Sequence, residues 1–306
     1  MQRSRRFGKL GVGCTVAAFL VVCAAQGAEA QSREPKDYFS VGVFGGVAHY
    51  AGDLSPGNGP SFPADQLTGL ARVGASLGVF GSYHWHPHMS VRAYLGYGKV
   101  SADDAESKSE VNRVRNLSFQ SNLYEASVQL HYDYFGNDRD YRFRPRVTPF
   151  IFTGVGLVAF NPQAYRDPRA KTGLTELAPL RTEAQSQAYS TVALVIPFGG
   201  GVRFRLSDRY DLRVEVGLRW TASDFLDDVS GSSAGRNQGH PLPSQLTVSA
   251  DQRFFSYRAT APTADYSLRR GNPARTDWYA FTGISIARIL DNPVNCPKPR
   301  RRPLRF

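Results

Sequence analysis

Cysteine is nearly absent, with three in 306 residues, at positions 14, 23 and 296. Cys14 and Cys23 fall in an opening segment that reads as a secretory leader, so the mature chain is expected to keep Cys296 alone. One thiol excludes an internal disulfide framework and any cysteine-based metal site. Long apolar runs are missing too. After the first thirty residues none reaches the 18 or so that mark a membrane helix, so a membrane-spanning chain of this sequence must cross with strands. A one-signed charge surplus is also lacking where it would matter. The net charge is +11, but the opening segment and the stretch Lys298, Arg300, Arg301, Arg302 and Arg305 hold most of it. The pI near 9.7 is therefore no argument for nucleic acid as a partner.

What is present begins with the leader. Arg3, Arg5, Arg6 and Lys9 precede an apolar run of about 16 residues, shorter than the roughly 20 a spanning helix needs. Ala28-Glu29-Ala30 then supplies small residues at the two positions a signal peptidase reads. Cleavage before Gln31 is expected, giving three parts: a signal peptide at 1–30, a barrel at 31–290 and a Pro/Arg-rich periplasmic tail at 291–306.

From Tyr38 onward the apolar signal alternates with period two, as half-buried strands require. Val73, Ala75, Leu77, Val79, Tyr83 and Trp85 oppose Arg72, Ser76, Gly78, Ser82 and His84. The same alternation predicts strands over 89–99, 124–134, 192–206 and 212–221. Strands over 38–50, 147–160 and 277–290 are predicted from composition, with bulky residues on both faces. Eight strands result. The connections alternate between long (about 20, 17, 31 and 54 residues) and short, the arrangement of a membrane barrel with short periplasmic turns and long external loops. The predicted fold is therefore all-β: an eight-stranded antiparallel transmembrane β-barrel in the outer membrane, with long loops at 161–191 and 223–276. Apolar faces ending in aromatics (Tyr83 and Trp85, Tyr132 and Tyr134, Trp220) fit an interfacial girdle.

Eight strands enclose a bore that side chains fill. The polar faces place Arg72, Arg92, Glu125, Arg203, Arg205, Arg213, Glu215 and Arg219 inside it. Six arginines against two strand carboxylates require further partners, with Asp133, tyrosine hydroxyls and acidic loop residues the candidates, or else some of the arginines lie at a wet rim. The reading is a salt-bridge plug rather than a pore.

Three features carry weaker chemistry. His84, His86 and His88 alternate around a tight turn, a spacing that permits metal ligation but is equally that of amphipathic residues at a membrane rim. Asp224, Asp227 and Asp228 offer oxygen ligands for a divalent ion without regular ligand spacing, and a solvated loop base is the simpler reading. His49, His131 and His240 are each potential general bases, but nothing in the sequence pairs one with a nucleophile and an orienter. Neither a catalytic residue nor a cofactor is assigned. Gly199-Gly200-Gly201 lacks the lysine and helix of a phosphate loop and points to a sharp bend or close packing.

A set of ordered motifs remains: Tyr50-Ala51-Gly52-Asp53-Leu54, Arg115-Asn116-Leu117-Ser118-Phe119, Thr148-Pro149-Phe150 with Gly154-Val155-Gly156, Phe160-Asn161-Pro162, Ile196-Pro197-Phe198-Gly199, Asp224-Phe225-Leu226-Asp227-Asp228-Val229-Ser230 and Gly271-Asn272-Pro273. Together they resemble a family of outer-membrane β-barrels of unknown biochemical activity that includes PorG, a type IX secretion component. The resemblance implies a non-enzymatic integral barrel that sits in outer-membrane lipid and contacts periplasmic ring components of a secretion machine. The alternatives are a lipid-modifying enzyme and a surface-binding barrel acting through its long loops. The sequence departs from the pattern at its C-terminus, where an aromatic-ended last strand is usual. Here strand eight stops near Leu290 and Pro297, Pro299 and Pro303 follow.

Overall fold

A computed structural model of the chain describes residues 37–54, 73–107, 110–137, 140–230, 249–258, 270–271 and 276–290. The chain divides between residues 34 and 35, and all of these residues lie in the second unit. The expected signal peptide, Arg72, His240, Cys296 and the tail fall outside the described residues.

Nine strands form: β1 (Tyr38–Ala51), β2 (Gly74–His86), β3 (Met89–Asp103), β4 (Ser118–Asp133), β5 (Val147–Asp167), β6 (Thr172–Glu176), β7 (Val192–Arg205), β8 (Tyr210–Thr221) and β9 (Trp278–Leu290). Eight of them pair in a ring, β1-β2-β3-β4-β5-β7-β8-β9, and β9 returns to β1 over a register running from Phe39↔Leu290 to Ala51↔Trp278. Every pairing is antiparallel. Closure removes the sheet edges that an open sheet would expose. The ninth strand, β6, was not expected. It folds back on the far end of β5, which at 21 residues is too long for the roughly 9–11 that cross the hydrocarbon. β3 and β4 are likewise longer than predicted.

Connections sort by end as expected. Pro87–His88 and Leu206–Arg209 turn β2 into β3 and β7 into β8, and 134–146 joins β4 to β5, all at the end where β1 begins and β9 stops. The opposite end carries the long connections. Among their described residues are α1 (Glu110–Arg115) and α2 (Ala250–Ser256).

The two faces of the barrel are inverted relative to a water-soluble one. Val43, Leu77, Val79, Leu95, Val128, Val155, Leu157, Val192, Val214 and Ile284 all point outward and are exposed, Leu77 and Leu95 by about 60%. An apolar surface continuous around a barrel exceeds anything a monomer leaves in water, and lipid is its solvent. Aromatic side chains edge the band. Phe39, Tyr83, Trp85, Tyr132, Tyr134 and Tyr210 stand at the short-turn end; Tyr97, Tyr124, Trp220 and Trp278 stand at the long-loop end. Rings with one apolar and one wet side belong at those two interfaces.

β7 runs through Gly199-Gly200-Gly201 without a break, so close packing rather than a bend explains the glycines. The Phe152 ring lies over Gly199 and the Phe150 ring over Gly201, and a Cβ at either position would strike the backbone of β8.

Candidate functional site: the filled bore and its cap

The inward charges expected from the sequence do meet in the bore. Arg92 lies 3.2 Å from Glu215, Arg219 lies 3.1 Å from Glu125, and Arg203 lies 2.7 Å from Asp133. Tyr279 adds a hydroxyl donor to Glu125 at 2.9 Å. One further pair was not predicted. Arg144, in the β4–β5 connection, enters the short-turn end and binds Asp211 at 2.8 Å, while donating to the carbonyls of Tyr141 and Asp208. Arg205 sits at the rim, the alternative that the charge count left open. It is only half-buried and donates to the Arg142 and Arg144 carbonyls. The salt-bridge plug does not run the length of the bore, because towards the long-loop end the filling turns apolar. Leu123, Val158, Val195, Phe119, Phe160 and Phe281 pack there with Tyr50. This is why bulky residues appeared on both faces of the first, fifth and last predicted strands.

Above the apolar layer sits a polar cap built by the long-loop connections. Its centre is Tyr50, whose hydroxyl lies 2.6 Å from Asp227 and 2.8 Å from Asp277. One hydroxyl has one proton, so it can donate to only one of the two; the other carboxyl must carry a proton and donate to the tyrosine oxygen. The energetics agree. Burial pushes both carboxyls well above the usual range, with the charges of Asp277 and Asp53 adding to it at Asp227 and those of Asp224 and Asp53 at Asp277. Asp224 is pushed up to about 9, first by burial and then by Asp227, Asp53 and Glu183. Beside this cluster Arg270 is buried against Glu183 and Asp228, each at 3.3 Å, and donates to the Ser256 carbonyl at 2.7 Å. Asp228 also accepts from Tyr189. Burial raises it to about 6, with Arg270 opposing. Arg115 of α1 binds Asp104 and donates to the carbonyls of Asp53 and Arg270. The cap therefore ties four connections together.

Asp224 lends itself to a direct test. Its folded pKa of about 9 lies above an unfolded value of about 3.9, so the folded state binds the extra proton. Its contribution to stability is complete below the unfolded pKa and declines as pH rises towards the folded one. Asp224→Asn, which resembles the protonated acid, is expected to flatten part of this decline. Unfolding midpoints of the two proteins should diverge between about pH 5 and 9 in favour of the variant; parallel profiles would refute the assignment.

Among the described residues the weak metal-ligand candidates do not form a common ligand set. Asp227 faces Tyr50 and Asp228 faces Arg270, while His84 is buried beside Ser40 and stacks on Tyr38 at 4.2 Å. His88 instead contacts the Asp133 carbonyl and stacks on Tyr132. His131 is buried in the bore, bound to Gln129 and stacked on Phe152 at 5.0 Å. Ser40 and His84 approach to 3.4 Å, but among the described residues no carboxylate orients that imidazole. Gly231-Ser232-Ser233-Ala234-Gly235 has the spacing of a nucleophile elbow, a match missed in the sequence reading; it lies outside the described residues.

The sequence reading also missed Asp277, Glu183, Arg270, Asp104 and Arg144, which sit in or beside connections where no periodicity flags a residue as buried. A different signal was available. Tyr50–Leu54, Arg115–Leu117 and Asp224–Ser230, three of the ordered motifs, all meet in the cap, and Arg270 immediately precedes the Gly271-Asn272-Pro273 motif.

A closed antiparallel barrel of eight strands, apolar outside and polar within, is the architecture of the small outer-membrane β-barrels. The chain belongs to the family described as Domain of unknown function (DUF6089), whose sequence profile matches residues 15–256. Among solved structures, it is similar to Neisserial surface protein A, at 9% identity and a TM-score of 0.38 over 82% of this chain and 96% of that one. It is similar to a major outer membrane protein of Thermus thermophilus, at 14% identity and a TM-score of 0.37 over 83% and 100%. Ail, the attachment invasion locus protein of Yersinia pestis, in complex with sucrose octasulfate, gives 7%, 0.35, 83% and 99%. A search of curated proteins by sequence returned no match.

Proposed function

We propose that this protein is a non-enzymatic outer-membrane barrel that works through its two ends, as an anchoring or assembly component of an envelope machine of the type IX secretion kind. The observation that carries this reading is the filled bore. Paired charges occupy its short-turn part and its middle, an apolar layer packs towards the long-loop end, and a buried cap closes the mouth. A bore packed in this way leaves the rims as the surfaces on which partners act. Outer-membrane lipid contacts the apolar band, and periplasmic ring components meet the short turns. The secretion role rests on the PorG-like motifs, three of which build the cap. Export would follow a cleaved signal peptide.

Deleting the gene tests this reading against the enzyme alternative. Secreted cargo is expected to vanish from the medium and return on complementation, while lipid A mass spectra stay unchanged. Normal export would overturn the proposal, and altered lipid A acylation would favour a lipid-modifying enzyme.

A further inference from the structure

The charge inventory of the bore does not close. Five guanidiniums are buried there, those of Arg92, Arg144, Arg203, Arg213 and Arg219, against four carboxylates, those of Glu125, Asp133, Asp211 and Glu215. Each carboxylate pairs with one arginine, and Arg213 is the one left over. It is 3% exposed. Among the described residues it makes no ion pair and no hydrogen bond, only ring contacts with Phe80 at 5.9 Å and Phe150 at 5.7 Å. Its neighbours increase its cost. Arg203 is its register partner on β7, and Arg92 lies over the other contact ring, 4.1 Å from the Phe80 centroid. An uncompensated cation buried beside two others is among the most expensive arrangements a protein interior can hold, and cation–π contacts at nearly 6 Å recover only a small part.

Unused donors gather around the same point. The Nε atoms of Arg213 and Arg92, Nη2 of Arg92, Nδ1 of His131 and the hydroxyls of Ser82, Ser285 and Thr148 are all buried without a partner. Topology brings them together. Ser285 is the register partner of Arg213 on β9, Thr148 that of Arg203, and Ser82 that of Arg92. The His131 ring lies 5.7 Å from the Phe150 ring that Arg213 also contacts. Carboxylates nearby, Asp133, Asp211 and Glu215, are already held by Arg203, Arg144 and Arg92.

We infer that the short-turn half of the bore holds a small inorganic anion of the halide class, bound by Arg213 with Arg92 and the surrounding hydroxyls. Such an ion neutralises the fifth guanidinium and uses donors that the side chains leave idle. Crowding by Phe80 and Phe150 favours a monatomic ion over an oxyanion.

The test uses the full protein folded in detergent. Melting temperature is followed as chloride replaces gluconate at constant ionic strength, for the wild type, Arg213→Met and the outward-facing control Arg288→Met. The wild type and the control are expected to show a saturating upward shift with chloride. Arg213→Met should show none and should match or exceed the wild type without chloride. Equal chloride responses in wild type and Arg213→Met would overturn the inference. Should that variant fail to fold, bromide-soaked wild-type crystals decide: an anomalous peak beside the Arg213 guanidinium supports the site, and its absence refutes it.

Discussion

Glu125→Ala is expected to destabilise the whole barrel by about 3–5 kcal/mol, the cost of removing one member of a buried ion pair. Glu125 accepts from Arg219, Ser127 and Tyr279, so three side chains from three strands lose their common acceptor. The Arg219 guanidinium would remain buried over the Phe281 ring at 4.3 Å with its ion-pair partner gone. Urea unfolding in detergent reads the loss. The double variant Glu125→Ala/Arg219→Met should recover much of it, because no charge is then stranded. Equal damage in single and double variants would mean that packing, not charge, sets the cost.

Arg270→Met should act on the cap and spare the barrel. Arg270 holds Glu183 and Asp228 and donates to the Ser256 carbonyl, thereby joining the β6–β7, β8–β9 and α2 segments. Its removal strands two buried carboxylates, again a loss of about 3–5 kcal/mol, here confined to the long-loop end. Trypsin is expected to cut within 177–190 or 225–258 in the variant while the strands survive as a protected core. Uncut loops would show that the cap does not depend on this residue. The contrast with Glu125→Ala, which should loosen strands and loops together, separates the two layers.

The barrel was legible in the sequence because its physics is periodic. Strands such as 74–86 and 124–133 face lipid on one side and a polar bore on the other, so alternation marks them residue by residue. The interior partners Arg92, Glu125, Arg203, Arg213, Glu215 and Arg219 followed from the same period. Arg144 and Asp211 did not, since one enters from a turn and the other lies at the start of a strand. The cap was illegible for a related reason. Tyr50, Asp277, Glu183 and Arg270 are far apart in the chain and are buried where distant segments meet, and a single sequence carries no period for that. Asp224, Asp227 and Asp228 were noticed as carboxylates but read as solvated or metal-facing. The partners of Asp227 and Asp228, a tyrosine and an arginine from distant segments, make the region a proton-sharing and ion-paired cluster.

Tyr50 closes the first strand of the barrel, Asp277 immediately precedes the last, and Asp227 follows the one before it. The hydroxyl thus straddles the seam at which the two chain-distant edges zip together. Until β1 and β9 meet, the pieces of the cap have no common meeting point. The lid is therefore a product of closure, and a chain that has entered the membrane but not finished its ring would present an open, unlatched mouth.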